Sequence, residues 1–167
     1  MKTITRLAFL ALLLAALPLA AQTNYDWSAV GSTGTSSNPA TGYNFTGPTF
    51  SFAPFFRGNV IARYRVTNTY GSATSKTPPW TTLIASVTDD SASGSVTTRL
   101  LQVDKCNSTE TQICSITSSD DGSNAHCDTC TFSSGTIDFA NYEYYVEVKL
   151  NRTVTTANPA LHSVAIN

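Results

Sequence analysis

From Tyr142 to Leu150 the side chains of Tyr144, Val146, Val148 and Leu150 alternate with those of Tyr145, Glu147 and Lys149. A period of two puts the apolar set on one side of a pleated strand and the polar set on the other. Such a segment is stable only where one sheet face meets a core and the other meets water. The same period follows Gly58, with Val60, Ala62, Tyr64 and Val66 opposed to Asn59, Ile61, Arg63, Arg65 and Thr67. Further strands are predicted at Thr82 to Val87, Val96 to Val103, Gln112 to Thr117, Thr131 to Ile137 and Leu161 to Ile166. Between them, Tyr70 to Pro79 reads as a loop ended by Pro78-Pro79-Trp80, and Asp89 to Gly94 as a turn. No segment carries a 3.6-residue apolar period, and the abundant Ser and Thr disfavour helix. The expected fold is all-β, a single antiparallel β-sandwich, with a jelly-roll-like order among those the pattern allows.

The beginning of the chain has a different organisation. Lys2 and Arg6 precede an apolar run from Leu7 to Leu17, broken by Pro18 before Leu19-Ala20-Ala21. Eleven apolar residues are too few to span a hydrocarbon layer of about 30 Å, so residues 1–21 read as a signal peptide cleaved after Ala21. The first cysteine is Cys106, which argues against lipid attachment at a new N-terminal cysteine, and residues 163–167 carry no second apolar span. The expectation is a secreted or periplasmic protein with no membrane anchor once the signal is removed. Cleavage leaves 146 of the 167 residues, an ordinary size for one domain. Without Lys2 and Arg6, eight basic residues face eleven acidic ones, a net charge of about −3. That balance lacks the basic excess needed to neutralise phosphates, so nucleic acid is excluded as an expected partner.

Residues 22–56 form a loop-rich arm in which Gly and Pro are scattered among Ser, Thr and Asn. Tyr25, Trp27, Tyr43, Phe45, Phe50, Phe52, Phe55 and Phe56 offer too much apolar area to leave in water, each burying about 150–250 Å² when packed. The arm is expected to lie over the sheet or add an edge strand, making one folding unit with the sandwich of residues 57–167.

The runs from Gly94 to Asp104 and Ile137 to Val148, with the closing Ser163-Val164-Ala165-Ile166, resemble a loose group of uncharacterised bacterial exported β-sandwich proteins. The resemblance covers roughly Arg57 to Ile166. It implies the sandwich fold and a bacterial source, at the cell envelope or outside it, and it brings no activity or functional residue.

Cys106, Cys114, Cys127 and Cys130, spaced C-x7-C-x12-C-x2-C, are the most specific chemistry present. In an exported chain an even count reads as two disulfides, and sequence leaves three pairings open. The favoured one joins Cys106 to Cys114 and Cys127 to Cys130, because each pair encloses a Ser/Thr/Asn-rich turn. Thiol–disulfide exchange at Cys127-Asp128-Thr129-Cys130 lacks the helix N-terminus that chemistry uses, and zinc held by the thiolates with His126 is disfavoured by the wide first spacing.

Only His126 and His162 are available as imidazole bases. Asp89, Asp90, Asp120, Asp121, Asp138, Glu143 and Glu147 would serve glycoside hydrolysis only as a pair facing across a cleft; turn and surface roles are the plainer reading. No cofactor is expected, save a structural calcium held by Asp120, Asp121 and Asn124 in an oxygen-rich loop. The sequons at Asn44, Asn107 and Asn151 matter only in a glycosylating host. Trp80 and Tyr70, with the aromatics of the arm, are the candidate ligand-binding residues, and a tryptophan after two prolines also suits a plug over the open end of a core. The resulting expectation is a secreted, non-catalytic structural or binding protein whose partner is a protein or glycan at the cell surface. A carbohydrate-binding module using exposed aromatics and a small secreted hydrolase using acidic loop residues are the alternatives. An exposed aromatic platform, or two carboxylates across a pocket, separates them.

Overall fold

The computed structural model describes residues 26–36, 42–70, 76–118 and 122–167. The expected signal peptide, Tyr25, Asp120 and Asp121 lie outside them. The described residues form eleven strands: β1 (Trp27–Val30), β2 (Thr35–Ser36), β3 (Tyr43–Thr46), β4 (Thr49–Phe52), β5 (Gly58–Val66), β6 (Thr82–Asp89), β7 (Gly94–Asp104), β8 (Glu110–Thr117), β9 (Gly122–Thr131), β10 (Tyr142–Arg152) and β11 (Ala160–Ile166). One 3₁₀ turn, Gly31–Thr33, joins β1 to β2, and none of the described residues forms an α-helix. None of their segments is a helix long and apolar enough to cross a membrane.

The strands form two antiparallel sheets stacked as a sandwich. The first has the order β3-β4-β11-β6-β9 with β1 also on β11, and the second has the order β2-β5-β10-β7-β8. Consecutive strands fall in opposite sheets except at the β3–β4 and β7–β8 hairpins, the shuttling that characterises jelly-roll-like sandwiches. The predicted alternation holds. Val60, Ala62, Tyr64 and Val66 of β5 and Tyr144, Val146, Val148 and Leu150 of β10 are buried against Leu83, Ala85 and Val87 of β6 and Leu161, Val164 and Ile166 of β11.

The described part of the aromatic arm supplies β1 to β4. Trp27, Phe50 and Phe52 are buried, and β1 pairs along β11 from Trp27↔Ile166 to Val30↔Ser163. Gly31 sits where the arm crosses the first sheet. A Cβ there would lie 2.3 Å from the Leu161 carbonyl oxygen, so no other residue fits without displacing backbone. The Gly31 carbonyl accepts the Tyr64 hydroxyl at 2.6 Å, tying arm to second sheet, and burial pushes that phenol's pKa up.

One predicted strand is displaced. Residues 131–137 were expected as a strand, but the strand is Gly122–Thr131 and the chain then turns, with Thr136 N donating to Ser133 O at 3.2 Å. β9 is an edge strand with one neighbour, β6, and its outward positions are exposed, so it needs no apolar alternation to form. Ile137, the apolar residue behind the expectation, plugs the core from a loop.

The favoured cysteine pairing is also corrected. The disulfide joins Cys114 of β8 to Cys130 of β9, with Cα atoms 6.2 Å apart, while Cys106 and Cys127 are free and exposed. Cys127 and Cys130 share one extended strand, where three residue steps of about 3.3 Å exceed the roughly 7 Å a disulfide spans. Cys106 lies at the tip of the β7–β8 hairpin, whereas Cys114 is opposite Leu100 well down the strand and faces the core. The bridge links an edge of one sheet to an edge of the other.

Candidate functional site

At the end of the second sheet where β10 begins, three strands and a hairpin tip converge on a hollow of about 510 Å³. That volume falls within the range of small-molecule sites. β5 contributes Arg65, β7 contributes Val103 and Asp104, and β10 contributes Glu143, Tyr144 and Tyr145; Lys105 and Ser108 come from the β7–β8 connection. A smaller hollow of about 180 Å³ shares Arg65, Lys105 and Glu143 with it and continues over Asn68, Phe139 and Tyr142. Together they make a groove across the sheet end.

The register of β10 explains the convergence. Tyr145 lies opposite Arg65 on one side and Leu101 on the other, and Glu147 lies between Arg63 and Arg99. Arg63 donates from Nε and a terminal nitrogen to Glu147 Oε2 at 2.9 and 2.8 Å, and Arg99 donates to Glu147 Oε1. Two guanidinium groups thus close over Glu147, leaving it 3% exposed on a face that alternation assigns to water. Burial alone pushes its carboxyl up, but hydrogen bonds from Arg99 and Arg63 outweigh it and hold the group below the usual glutamate value. The Arg63 guanidinium also lies over the Tyr145 ring, 5.2 Å from its centroid. The Tyr145 hydroxyl donates to Glu110, and burial and this bond push the phenol up to about 12. Tyr145 is therefore a neutral, oriented ring at any ordinary pH.

The charges lining the groove balance. Arg65 pairs with Glu143 at 3.3 Å, and Lys105 donates to the Phe139 carbonyl at 2.6 Å. Asp104 accepts the backbone N–H groups of Cys106 and Asn107 at 2.7 and 3.1 Å, which fixes the hairpin tip. The two carboxylates in the hollow are thus committed to an ion pair and a turn.

Trp80 does not reach this surface. At 2% exposure it is core, which removes it as a stacking platform and matches the plug over the sandwich end. Its ring meets Phe139 edge-on at 6.1 Å, and Phe139 meets Tyr144 at 5.1 Å, so Trp80 backs the groove wall from inside. Tyr70 is half-buried against the core, with its backbone N–H donating to Asn68, a groove residue, at 3.1 Å. Of the calcium candidates, Asn124 is exposed on β9, and among the described residues no three His, Cys, Asp or Glu side chains cluster to hold a metal.

The remaining titratable candidates are structural. Asp89 is buried and accepts the Ser118 hydroxyl at 2.6 Å. Asp90 accepts the Asn158 backbone and side-chain N–H groups at 2.7 and 3.1 Å, and Asp138 caps its own turn through Ala140 and Asn141. His162 occupies a β-bulge of β11, with ring nitrogens 2.7 Å from Thr88 Oγ1 and 3.4 Å from Thr49 Oγ1. His126 lies 3.4 Å from Asp128. The groove residues Tyr145, Arg65, Glu143 and Lys105 were not among the ligand-binding candidates. Their signal was available, for a tyrosine on the water side of an alternating strand, among charges, has no packing reason to be there.

The chain matches no protein-family model and no curated protein. Among solved structures it is similar to a xylan-binding module, CBM15, at 17% identity over 86% of this chain and 95% of that one, with a TM-score of 0.47. The CBM36-1 domain of a multidomain xylanase from the hindgut metagenome of Trinervitermes trinervoides gives 11% identity over 86% and 97%, with a TM-score of 0.49. A carbohydrate-binding module CBM36 in complex with calcium and xylotriose gives 12% over 84% and 99%, with a TM-score of 0.44. These neighbours are carbohydrate-binding β-sandwich modules. Identities and scores this low transfer neither a ligand nor a site.

Proposed function

We propose that the protein is an exported glycan-binding module that holds a neutral saccharide chain in the groove beside Tyr145. The observation that carries this reading is the groove's composition, a fixed tyrosine ring beside planar polar groups whose charges cancel. A sugar presents an apolar C–H face and a rim of hydroxyls, so an aromatic face and flanking donors and acceptors complement it. Balanced charge favours neither a polyanion nor a polycation. The commitment of Asp104 to a turn and of Glu143 to Arg65 supports binding over hydrolysis, which needs a carboxyl group available as acid. The leader-like residues 1–21 and the disulfide support export to an oxidising compartment, in keeping with the resemblance to bacterial envelope proteins.

Affinity electrophoresis in gels containing arabinoxylan or mixed-linkage β-glucan tests the reading. Wild-type protein is retarded on at least one, Tyr145→Ala loses most of the retardation, and Tyr145→Phe, which keeps the ring, retains it. Equal mobility with and without every neutral polysaccharide in the panel overturns it.

A further inference from the structure

We propose that a second hollow, at the opposite end of the sandwich, is an independent sugar-binding site built around Phe55. Residues 53–56 form a tight turn, with Phe56 N donating to Ala53 O at 3.3 Å and Pro54 leading the turn. Phe55 occupies the third position with φ of 62°, a left-handed conformation that suits Gly or Asn and disfavours a bulky aromatic. The residue is 89% exposed, against 43% for Val30 and 37% for Val154, the other large exposed apolar residues described. A phenylalanine that is both conformationally strained and left in water has no folding reason to be there.

The turn beneath it is rigid. Arg152, itself 4% exposed, donates to the carbonyls of Ala53 and Phe56 at 2.8 and 2.7 Å, one at each end of the turn. The same guanidinium reaches the Ala157 and Thr155 carbonyls at 3.0 and 3.5 Å in the β10–β11 loop and lies 4.5 Å over the Phe52 ring. Phe52 and Phe56 stack with centroids 6.0 Å apart. Both loops are thus locked to one cation while the Phe55 ring stays outside, a preorganised platform.

Beside the ring is a hollow of about 460 Å³, lined also by Asn44, Thr155, Thr156 and Asn158. Asn158 is oriented by Asp90 and by the Thr156 carbonyl at 2.9 Å. Uncharged amides and hydroxyls around one aromatic face match a neutral sugar ring. Arg152 also lines the hollow, but it is buried and committed to backbone carbonyls, so there is no cluster of basic side chains as an anionic membrane surface would require. Tyr142, in the first groove, and Arg152 are the two ends of β10, so ten residue steps put the sites roughly 33 Å apart. A short oligosaccharide occupies one site at a time, whereas a polymer reaches both and gains from the higher effective concentration.

The test compares wild type, Phe55→Ala, Tyr145→Ala and the double variant, on arabinoxylan and mixed-linkage β-glucan and with a β-1,4-linked trisaccharide followed by NMR. Thermal melts check that each variant is folded. The expected result is that Tyr145→Ala still binds the trisaccharide, with shifts in the Asn44 and Asn158 side-chain amides, and that adding Phe55→Ala abolishes them. Phe55→Ala alone should weaken retention on polymer by about tenfold or more. Phe55→Ala indistinguishable from wild type on both probes overturns the inference and leaves the groove reading standing. So does a Phe55-dependent association with neutral or anionic vesicles, or with a second copy of the chain, in place of sugar binding. If Phe55→Ala abolishes binding while Tyr145→Ala does not affect it, the groove reading fails and this one holds.

Discussion

The disulfide between Cys114 and Cys130 offers a quantitative check on the fold. The two residues are 16 apart in sequence, and in the chain-entropy model closing a loop of that length stabilises the native state by about 3 kcal/mol. That is about a hundredfold in the unfolding equilibrium. The bridge also ties the β8 edge of one sheet to the β9 edge of the other, so its loss frees both edges together. Urea unfolding of Cys114→Ala/Cys130→Ala against the oxidised wild type should therefore show the midpoint lowered by about 1–3 M, given the m-values of domains this size. The control is Cys106→Ser/Cys127→Ser. Both thiols are exposed and unbridged, so this variant should stay within about 0.5 kcal/mol of wild type. If the control loses as much as the first variant, or a non-reducing peptide map returns Cys106–Cys114 or Cys127–Cys130, the bridge between sheets is wrong.

Replacing Glu147 by Gln leaves Arg63 and Arg99 facing a neutral group. Because both arginines are substantially exposed, the expected loss is about 1–2 kcal/mol rather than that of a fully buried pair. Since the folded protein holds Glu147 below its unfolded value of 4.5, its contribution is present above that pH and is lost as pH falls below it. Denaturation midpoints measured from neutral pH downward should accordingly converge for wild type and Glu147→Gln in acid; a gap that persists there would show that charge is not the cause. Trp80→Ala removes a fully buried indole and should cost about 3–5 kcal/mol in chemical denaturation. A loss under about 1 kcal/mol would mean the ring is not part of the core.

The sandwich was readable because β5 and β10 each bury one face in the core and set polar or amphipathic side chains on the other, which stamps a period of two on their residues. β9 carries no such stamp. It lies at a sheet edge, paired only with β6, and the hydrogen-bond register rather than any burial requirement holds Gly122 to Thr131 extended. Cysteine pairing was hidden for a related reason, since proximity of Cys114 and Cys130 depends on which edges of two different sheets come together. Alternation correctly assigned Glu147 to the outer face, yet its burial follows from Arg63 and Arg99 standing opposite it on both neighbouring strands, a matter of register. The groove behaves likewise. Tyr145 was visible as a solvent-side aromatic, but its union with Arg65, Lys105 and Ser108 exists only after three strands align. Trp80 after two prolines was readable both as a ligand-binding aromatic and as a plug over the open end of the core, and its burial decides for the plug.

The position of β11 bears on how such a chain acquires its structure. In the first sheet, β11 alone joins the β3–β4 hairpin and β1 to the β6–β9 pair, so beyond its own hairpin the aromatic arm has no strand partner there until residues 160–166 are in place. The pairing of Trp27 with Ile166 closes a loop of nearly the whole described chain, the kind of non-local contact that slows folding. A polypeptide that emerges amino end first therefore keeps its arm aromatics without their partner strand in that sheet until synthesis reaches β11. That delay concentrates the risk of misassembly in the interval before the last strand arrives.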